Sequence, residues 1–204
     1  PEAVEALLET ARQNHDTTVL LKADRLRRGA RYYEDARAFA RIVAQYSHGK
    51  PRKNHFYICT GGGPGIMEAA NRGASEAGEP TIGLNITLPH EQTDNPYVTP
   101  GLRFKFHYFA LRKMHFMMRA KALVTFPGGY GTLDELFEVL TLVQTEKTKP
   151  VPVVLYGSSY WKRLLHLDVL VEEGAIAPED IKLFRYADTP EQAWEHIAAF
   201  YRLA

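Results

Sequence analysis

Cysteine is almost absent: Cys59 stands alone in 204 residues. One thiol closes no intrachain disulfide, and it supplies too few sulfur ligands for a cysteine zinc site or an iron–sulfur cluster. A reducing cytoplasm is therefore the expected location. No run approaches the roughly 20 apolar residues that a membrane helix needs, and the opening Pro1-Glu2-Ala3 does not begin a charged-then-apolar signal peptide. An excess of one charge is missing as well. Lys and Arg number 25 against 24 Asp and Glu, a formal charge of +1, which does not support a surface built to neutralise the many phosphates of a nucleic acid. A small anionic ligand remains open. The basic clusters Arg25, Arg27, Arg28, Arg31 and Lys50, Arg52, Lys53 read as solvated helix faces and turns. Internal repeats, low-complexity tracts and interdomain linkers are also lacking.

What remains is ordinary globular usage, 45% hydrophobic and 24% charged, at a length that suits one domain. The expectation is a single domain over 1–204, with an N-terminal helical extension over about 1–30. From His55 onward, β-rich runs alternate with amphipathic stretches, the pattern of a parallel sheet covered by helices. Strands are expected at His55–Thr60, Thr81–Ile86, Lys121–Phe126, Val151–Tyr156 and Ile181–Tyr186. Helices are expected at Pro64–Ala77, Phe109–Arg119, Leu133–Glu146, Tyr160–Glu173 and Pro190–Tyr201. This spacing predicts an α/β, Rossmann-like, doubly wound and mainly parallel sheet. Thr189, Pro190 and Gln192 supply an N-cap, a pre-set first residue and a capping-box partner for the last helix. Nearer the start, Glu2–Gln13 and Arg31–Tyr46 read as helices, and Thr17–Leu21 as either a short strand or the beginning of the second helix. Leu88–Gly101 reads as the longest irregular connection, of a length that often lines a site.

Two glycine-rich turns stand out. Thr60-Gly61-Gly62-Gly63-Pro64-Gly65-Ile66-Met67-Glu68 follows a strand and opens a helix, so main-chain N–H groups can converge on an anion at the positive end of the helix dipole. The dinucleotide fingerprint would need glycine where Ile66 stands, and a Walker A loop would need a following Gly-Lys-Ser/Thr. The second turn, Pro127-Gly128-Gly129-Tyr130-Gly131-Thr132-Leu133-Asp134-Glu135, also lies between a strand and a helix. Thr132 and Glu135 could form a capping box there, an account that leaves the glycines unexplained. Arg112 and Lys113 sit on the helix just before that strand, where a guanidinium could reach an anion near the glycines.

Other chemistries find little support. Lys113 and Lys147 carry no signal of a Schiff-base lysine, no H-E-x-x-H occurs, and Gly157-Ser158-Ser159 lacks the G-x-S-x-G of a nucleophile elbow. His107 and His115 read as a helix-end pair rather than metal ligands, and no cofactor is called for. Cys59 reads as a core residue. Tyr108, Phe109, Met114, Phe116, Met117 and Met118 suit core packing or a dimer contact, with a base pocket as the alternative.

The order of these motifs, Gly61–Gly63 with Pro64-Gly65-Ile66-Met67-Glu68, then Arg112-Lys113, then Pro127-Gly128-Gly129-x-Gly131-Thr132-x-x-Glu135, resembles the LONELY GUY (LOG) family. These are Rossmann-like nucleotide phosphoribohydrolases long labelled lysine decarboxylases. The similarity runs from about Tyr32 to about Leu164 and includes Leu88-Pro89-His90-Glu91-Gln92 and Gln144-Thr145-x-Lys147. It implies hydrolysis of the N-glycosidic bond of a nucleoside 5'-monophosphate, of AMP or cytokinin riboside type, to free base and ribose 5-phosphate. It also implies Arg112 and Glu135 as catalytic residues. Gly62, Gly63, Glu68, Lys113, Gly128, Gly129, Gly131 and Thr132 would bind substrate and phosphate, with no metal, in a homodimer or higher homo-oligomer. The family usually opens with a strand ending in Gly-Ser-Ala-Arg, which Thr17–Gly29 does not spell. A nucleotide-binding sensor or carrier without catalysis is the alternative from another class.

Overall fold

In Arg31–Tyr46, small and apolar residues recur at three- and four-residue spacing. Ala36, Phe39, Ala40, Val43 and Ala44 are all buried, as one face of a helix requires. In the computed structural model, which describes residues 17–87 and 95–203, this stripe belongs to helix α1, Thr17–Ser47. Thr17–Leu21 is helical, and α1 runs without interruption through residue 30. Glu2–Gln13 and the first part of the Leu88–Gly101 connection lie outside the described residues.

Seven α-helices and six strands follow one another along the described chain. After α1 come β1 (Ile58–Thr60), α2 (Ile66–Glu76), β2 (Thr81–Ile86), β3 (Arg103–Phe106), α3 (Phe109–Arg119) and β4 (Leu123–Thr125). Then follow α4 (Tyr130–Gln144), β5 (Val153–Tyr156), α5 (Ser158–Leu164), α6 (Asp168–Glu172), β6 (Phe184–Ala187) and α7 (Pro190–Tyr201). All pairings are parallel, in two three-stranded sheets ordered β1-β2-β3 and β4-β5-β6. In register, Ile58 lies opposite Thr81, Gly83 opposite Arg103, and Val154 between Val124 and Arg185. Every residue of β5 is buried, as expected of a central strand covered on both faces. The fold is Rossmann-like α/β.

Three departures from the sequence expectation have local causes. Strand β3 carries Arg103, Phe104 and Lys105 exposed, so an edge strand with charges on it gave no apolar run to find. The single helix expected over Tyr160–Glu173 is two, because Leu165 leaves helical geometry at φ −122, ψ 115. Cys59 is exposed, not core. Among the described strands β1 pairs only with β2, and β4 only with β5, so each of the two strands that lead into a glycine turn keeps one edge unpaired. Exposure makes Cys59 reachable, while the protein atoms crowding it push its thiol up to about 12; access and protonation are thus set by different features, and the thiol stays protonated at neutral pH.

One hydrophobic cluster joins Ala36, Phe39 and Val43 of α1 to Val154 and Tyr156 of β5, Ala69 of α2 and Ile197 of α7, with Ile58 and Val124 packed against it. It therefore touches both sheets. Arg37 fastens α1 to α2 by two bonds to Glu76, at 2.8 and 2.9 Å. Together with Arg72 it holds the Glu76 carboxyl at about 2, well below the ordinary range. Helix α7 starts as its sequence predicts: Thr189 accepts from the Gln192 N–H at 3.2 Å, and the Gln192 side chain accepts from the Asp188 N–H at 2.9 Å. No helix of the described residues is long and apolar enough to cross a membrane.

Candidate active site

The turn after β1 is built by side chains behind it. Thr60 Oγ1 accepts from the Gly62 N–H at 3.0 Å and donates to Asn71 Oδ1 at 2.6 Å. Asn95 Nδ2 donates to that same Asn71 oxygen at 2.9 Å, and both asparagines are fully buried. Gly62 has φ +69, a region open to glycine at little cost. A Cβ there would collide with Asn85 Oδ1, whose amide nitrogen donates to the Gly62 carbonyl at 3.3 Å. Gly63 O receives Asn95 Nδ2 at 3.5 Å. Glu68 lies in the first turn of α2 and accepts from Tyr33 OH at 2.9 Å; burial, ahead of its neighbours, raises the Tyr33 phenol.

The second turn starts its helix earlier than expected. Helix α4 begins at Tyr130 with Gly129 as N-cap, and no side chain caps it. Thr132 N–H and Leu133 N–H both donate to Gly129 O, at 3.0 and 3.1 Å. The expected Thr132–Glu135 capping box is therefore absent: Thr132 is already inside the first turn, and Glu135 lies beyond it. Gly128 is required because a Cβ would collide with Thr132 Oγ1. No acidic residue occupies the first turn of α4, so its positive end meets no carboxylate of its own first turn, a setting that favours an anion.

Freed from capping, Glu135 meets Arg112. Arg112 Nη2 donates to Glu135 Oε1 at 3.4 Å, with the two side chains 14% and 22% exposed. The contact is at the long end for a hydrogen bond. The other terminal nitrogen, Nη1, would lie 3.7 Å from a Cβ on Gly61, so this one guanidinium spans from the second motif to the first turn. Its carbon sits 5.1 Å from the Phe109 ring and 5.8 Å from the Phe116 ring, and Nε is buried with no hydrogen-bond partner among the described residues. Burial raises the Glu135 pKa, and the opposing charges of Arg112 and Lys113 offset this only in part. A half-buried carboxylate with a raised pKa beside a cation has the properties of an acid–base or charge-stabilising group.

Lys113 points elsewhere. Its Nζ lies 2.7 Å from Asp134 Oδ1 and 2.9 Å from Glu138 Oε2; burial works against its charge, yet these two acids outweigh it and raise its pKa. A hollow of about 540 Å³ opens beside these groups, walled by Lys113, Tyr130, Leu133, Asp134, Phe137 and Glu138. It lies on the outer side of α4; Arg112 and Glu135 are not among its walls.

Of the aromatic and methionine group, Met117 packs against a second core cluster, whereas Tyr108, Phe109, Met114 and Met118 are exposed. His107 bonds Thr87 and the His115 ring lies tilted against Phe106, so the two serve separate contacts. Among the described residues no group of three or more His, Cys, Asp or Glu side chains could hold a metal ion. Sequence reasoning missed Tyr33, Asn71, Asn95 and Tyr160, the last of which donates to Gly128 O at 2.6 Å. Their contacts with the two turns and with one another span 11 to 35 positions, and no local pattern marks such partners.

Comparison with known proteins agrees with the family resemblance. A family model described as "Possible lysine decarboxylase" matches residues 67–197. A probable cytokinin riboside 5'-monophosphate phosphoribohydrolase of Oryza sativa subsp. japonica is 29% identical over 151 residues, 72% of this chain and 59% of that protein. A cytokinin riboside 5'-monophosphate phosphoribohydrolase of Arabidopsis thaliana is 30% identical over 143 residues, 69% of this chain and 65% of that protein. The chain thus spans about three-fifths of the length of these curated relatives. The molybdenum cofactor binding protein of Rippkaea orientalis shares the fold at TM-score 0.59 and 19% identity, over 83% of this chain and 88% of that one. The molybdenum cofactor carrier protein of Chlamydomonas reinhardtii aligns at TM-score 0.55 and 25% identity, over 85% and 88%. With a family model covering most of its length and a curated relative 30% identical over 69% of it, the chain belongs to the LONELY GUY family.

Proposed function

We propose that this chain hydrolyses the N-glycosidic bond of a nucleoside 5'-monophosphate, with AMP or a cytokinin riboside monophosphate as substrate. The observation that carries the reading is the Arg112–Glu135 pair beside the first turn and near the start of α4. The 5'-phosphate binds at the uncompensated start of α4, through main-chain donors of Gly129 and Gly131 and the hydroxyl of Thr132, with Gly128 shaping the turn. Gly62 and Gly63 shape the facing turn, and Glu68 takes ribose hydroxyls. As the bond between the anomeric carbon and the base nitrogen breaks, its electron pair leaves with the base and positive charge grows on the ribose. The Glu135 carboxylate stabilises that charge and accepts a proton from the attacking water, whose oxygen bonds the anomeric carbon. The departing base takes a proton from solvent, Glu135 returns its own to solvent, and ribose 5-phosphate remains. Arg112 orients Glu135 and offers its second face to the phosphate.

The relatives' printed activities and the motif order support this reading. Glu135→Gln keeps the shape and removes the charge, so release of adenine from AMP, followed by chromatography, is expected to fall about 10²–10⁴-fold. A variant within a few-fold of wild type would sink the assignment. A carrier or sensor is the second reading, favoured by the likeness to the Chlamydomonas carrier protein; nucleotide binding without base release from any monophosphate would select it. We further propose one cytoplasmic domain that pairs with a second copy through the exposed Leu111, Met114 and Met118 face of α3.

A further inference from the structure

Lys113 follows Arg112 directly, yet neighbouring side chains leave a helix about 100° apart, and these two take different tasks. Arg112 reaches Glu135 and Gly61. Lys113 reaches Asp134 and Glu138, the residues one before and three after Glu135 on α4. At 2.7 and 2.9 Å the lysine contacts are the tight ones between α3 and α4, whereas the arginine contact is loose at 3.4 Å. The lysine side chain is only 17% exposed, so its desolvated charge is compensated only while the acids stay in place. An ammonium already shared between two carboxylates would have to abandon them to meet a phosphate.

We propose that Lys113 is a positioning residue: by bridging Asp134 and Glu138 it sets the rotation of α4 against α3 and so holds Glu135 at Arg112. The activity arm of its test rests on the hydrolase reading; a second arm does not. The charged groups facing Glu135 are Arg112 and Lys113 from α3, with Asp134 and Glu138 from its own helix.

Two variants separate positioning from phosphate binding: Lys113→Met, and the double change Asp134→Asn with Glu138→Gln, which frees the lysine. Base release from AMP is measured for kcat and KM, and the Glu135 carboxyl is titrated by carbon NMR in wild type and Lys113→Met, which needs no turnover. Positioning predicts that both variants lose about 10–100-fold in kcat with KM held within about three-fold. It also predicts that the Glu135 midpoint rises in Lys113→Met, as the lysine charge is lost and Arg112 loosens. A raised KM at unchanged kcat in Lys113→Met, or a lowered KM in the double variant, would make Lys113 a phosphate ligand and overturn the proposal. If wild type releases no base, the hydrolase reading fails by itself; an unmoved Glu135 midpoint would then still refute the role given to Lys113.

Discussion

The phenol of Tyr160, on α5, donates to the carbonyl of Gly128 at 2.6 Å, so a residue 32 positions later in the chain fixes the turn that opens α4. Tyr160→Phe removes the donor and leaves a part-buried carbonyl short of a partner, a loss of about 1–3 kcal/mol. Urea unfolding is expected to show that loss. Because the turn carries the proposed phosphate donors, KM for AMP is expected to rise several-fold with kcat less affected. A Tyr160→Phe protein with unchanged midpoint and unchanged KM would remove the turn's dependence on this bond.

Gly62 and Gly174 share nearly the same backbone angle, φ +69 and +68, but only Gly62 has a side chain, that of Asn85, where a Cβ would go. Alanine at either position bears the left-handed penalty of about 1–2 kcal/mol. At Gly62 it must also displace Asn85 and its bond to the Gly62 carbonyl. Gly62→Ala is therefore expected to destabilise the protein distinctly more than Gly174→Ala in parallel denaturant titrations. Equal losses would mean that Asn85 moves aside freely.

Much of this arrangement was legible from local pattern. Strand β2 and helices α3 and α7 fall on their expected boundaries, since each combines a clear period with a clear start or stop. Thr189 shows how far local rules reach: cap, proline and glutamine all lie within four residues. Thr132 and Glu135 show where they fail. Their spacing satisfies a capping box, but Gly129 caps α4 with its main chain, and the glutamate is left to meet an arginine 23 positions away. The role of Asn71 was hidden for the same reason, because its meaning depends on Asn95 arriving from beyond β2. Cys59 lies in an apolar run, which reads as core, yet it is exposed: composition gives no sign of whether a neighbouring element covers that face of β1.

The outer face of α3 predicts the assembly state. Leu111, Met114 and Met118 lie at helical spacing and are all exposed, a row that a lone chain would have no reason to keep bare. Met118→Glu places a charge in the proposed contact, and light scattering is expected to show monomers where the unaltered chain gives dimers. A monomeric unaltered chain would refute the contact.

Glu135 trades stability for its role. Burial raises its pKa above the ordinary 4.5 despite Arg112 and Lys113, so in the folded state the proton is held more tightly than in the unfolded chain. The folded state therefore binds more protons than the unfolded state between the ordinary value and the raised one, and stability falls as pH rises through that window. Below 4.5 the residue is protonated in both states and the penalty vanishes; above the raised value the full penalty applies. Glu135→Gln carries no charge to desolvate, so its melting temperature is expected to exceed that of wild type at neutral pH while base release is lost. The gain should shrink as the pH is lowered toward 4 and below. A variant that melts below wild type at neutral pH would mean that Arg112 more than compensates the buried carboxylate, and that the carboxylate is held at no cost to the fold.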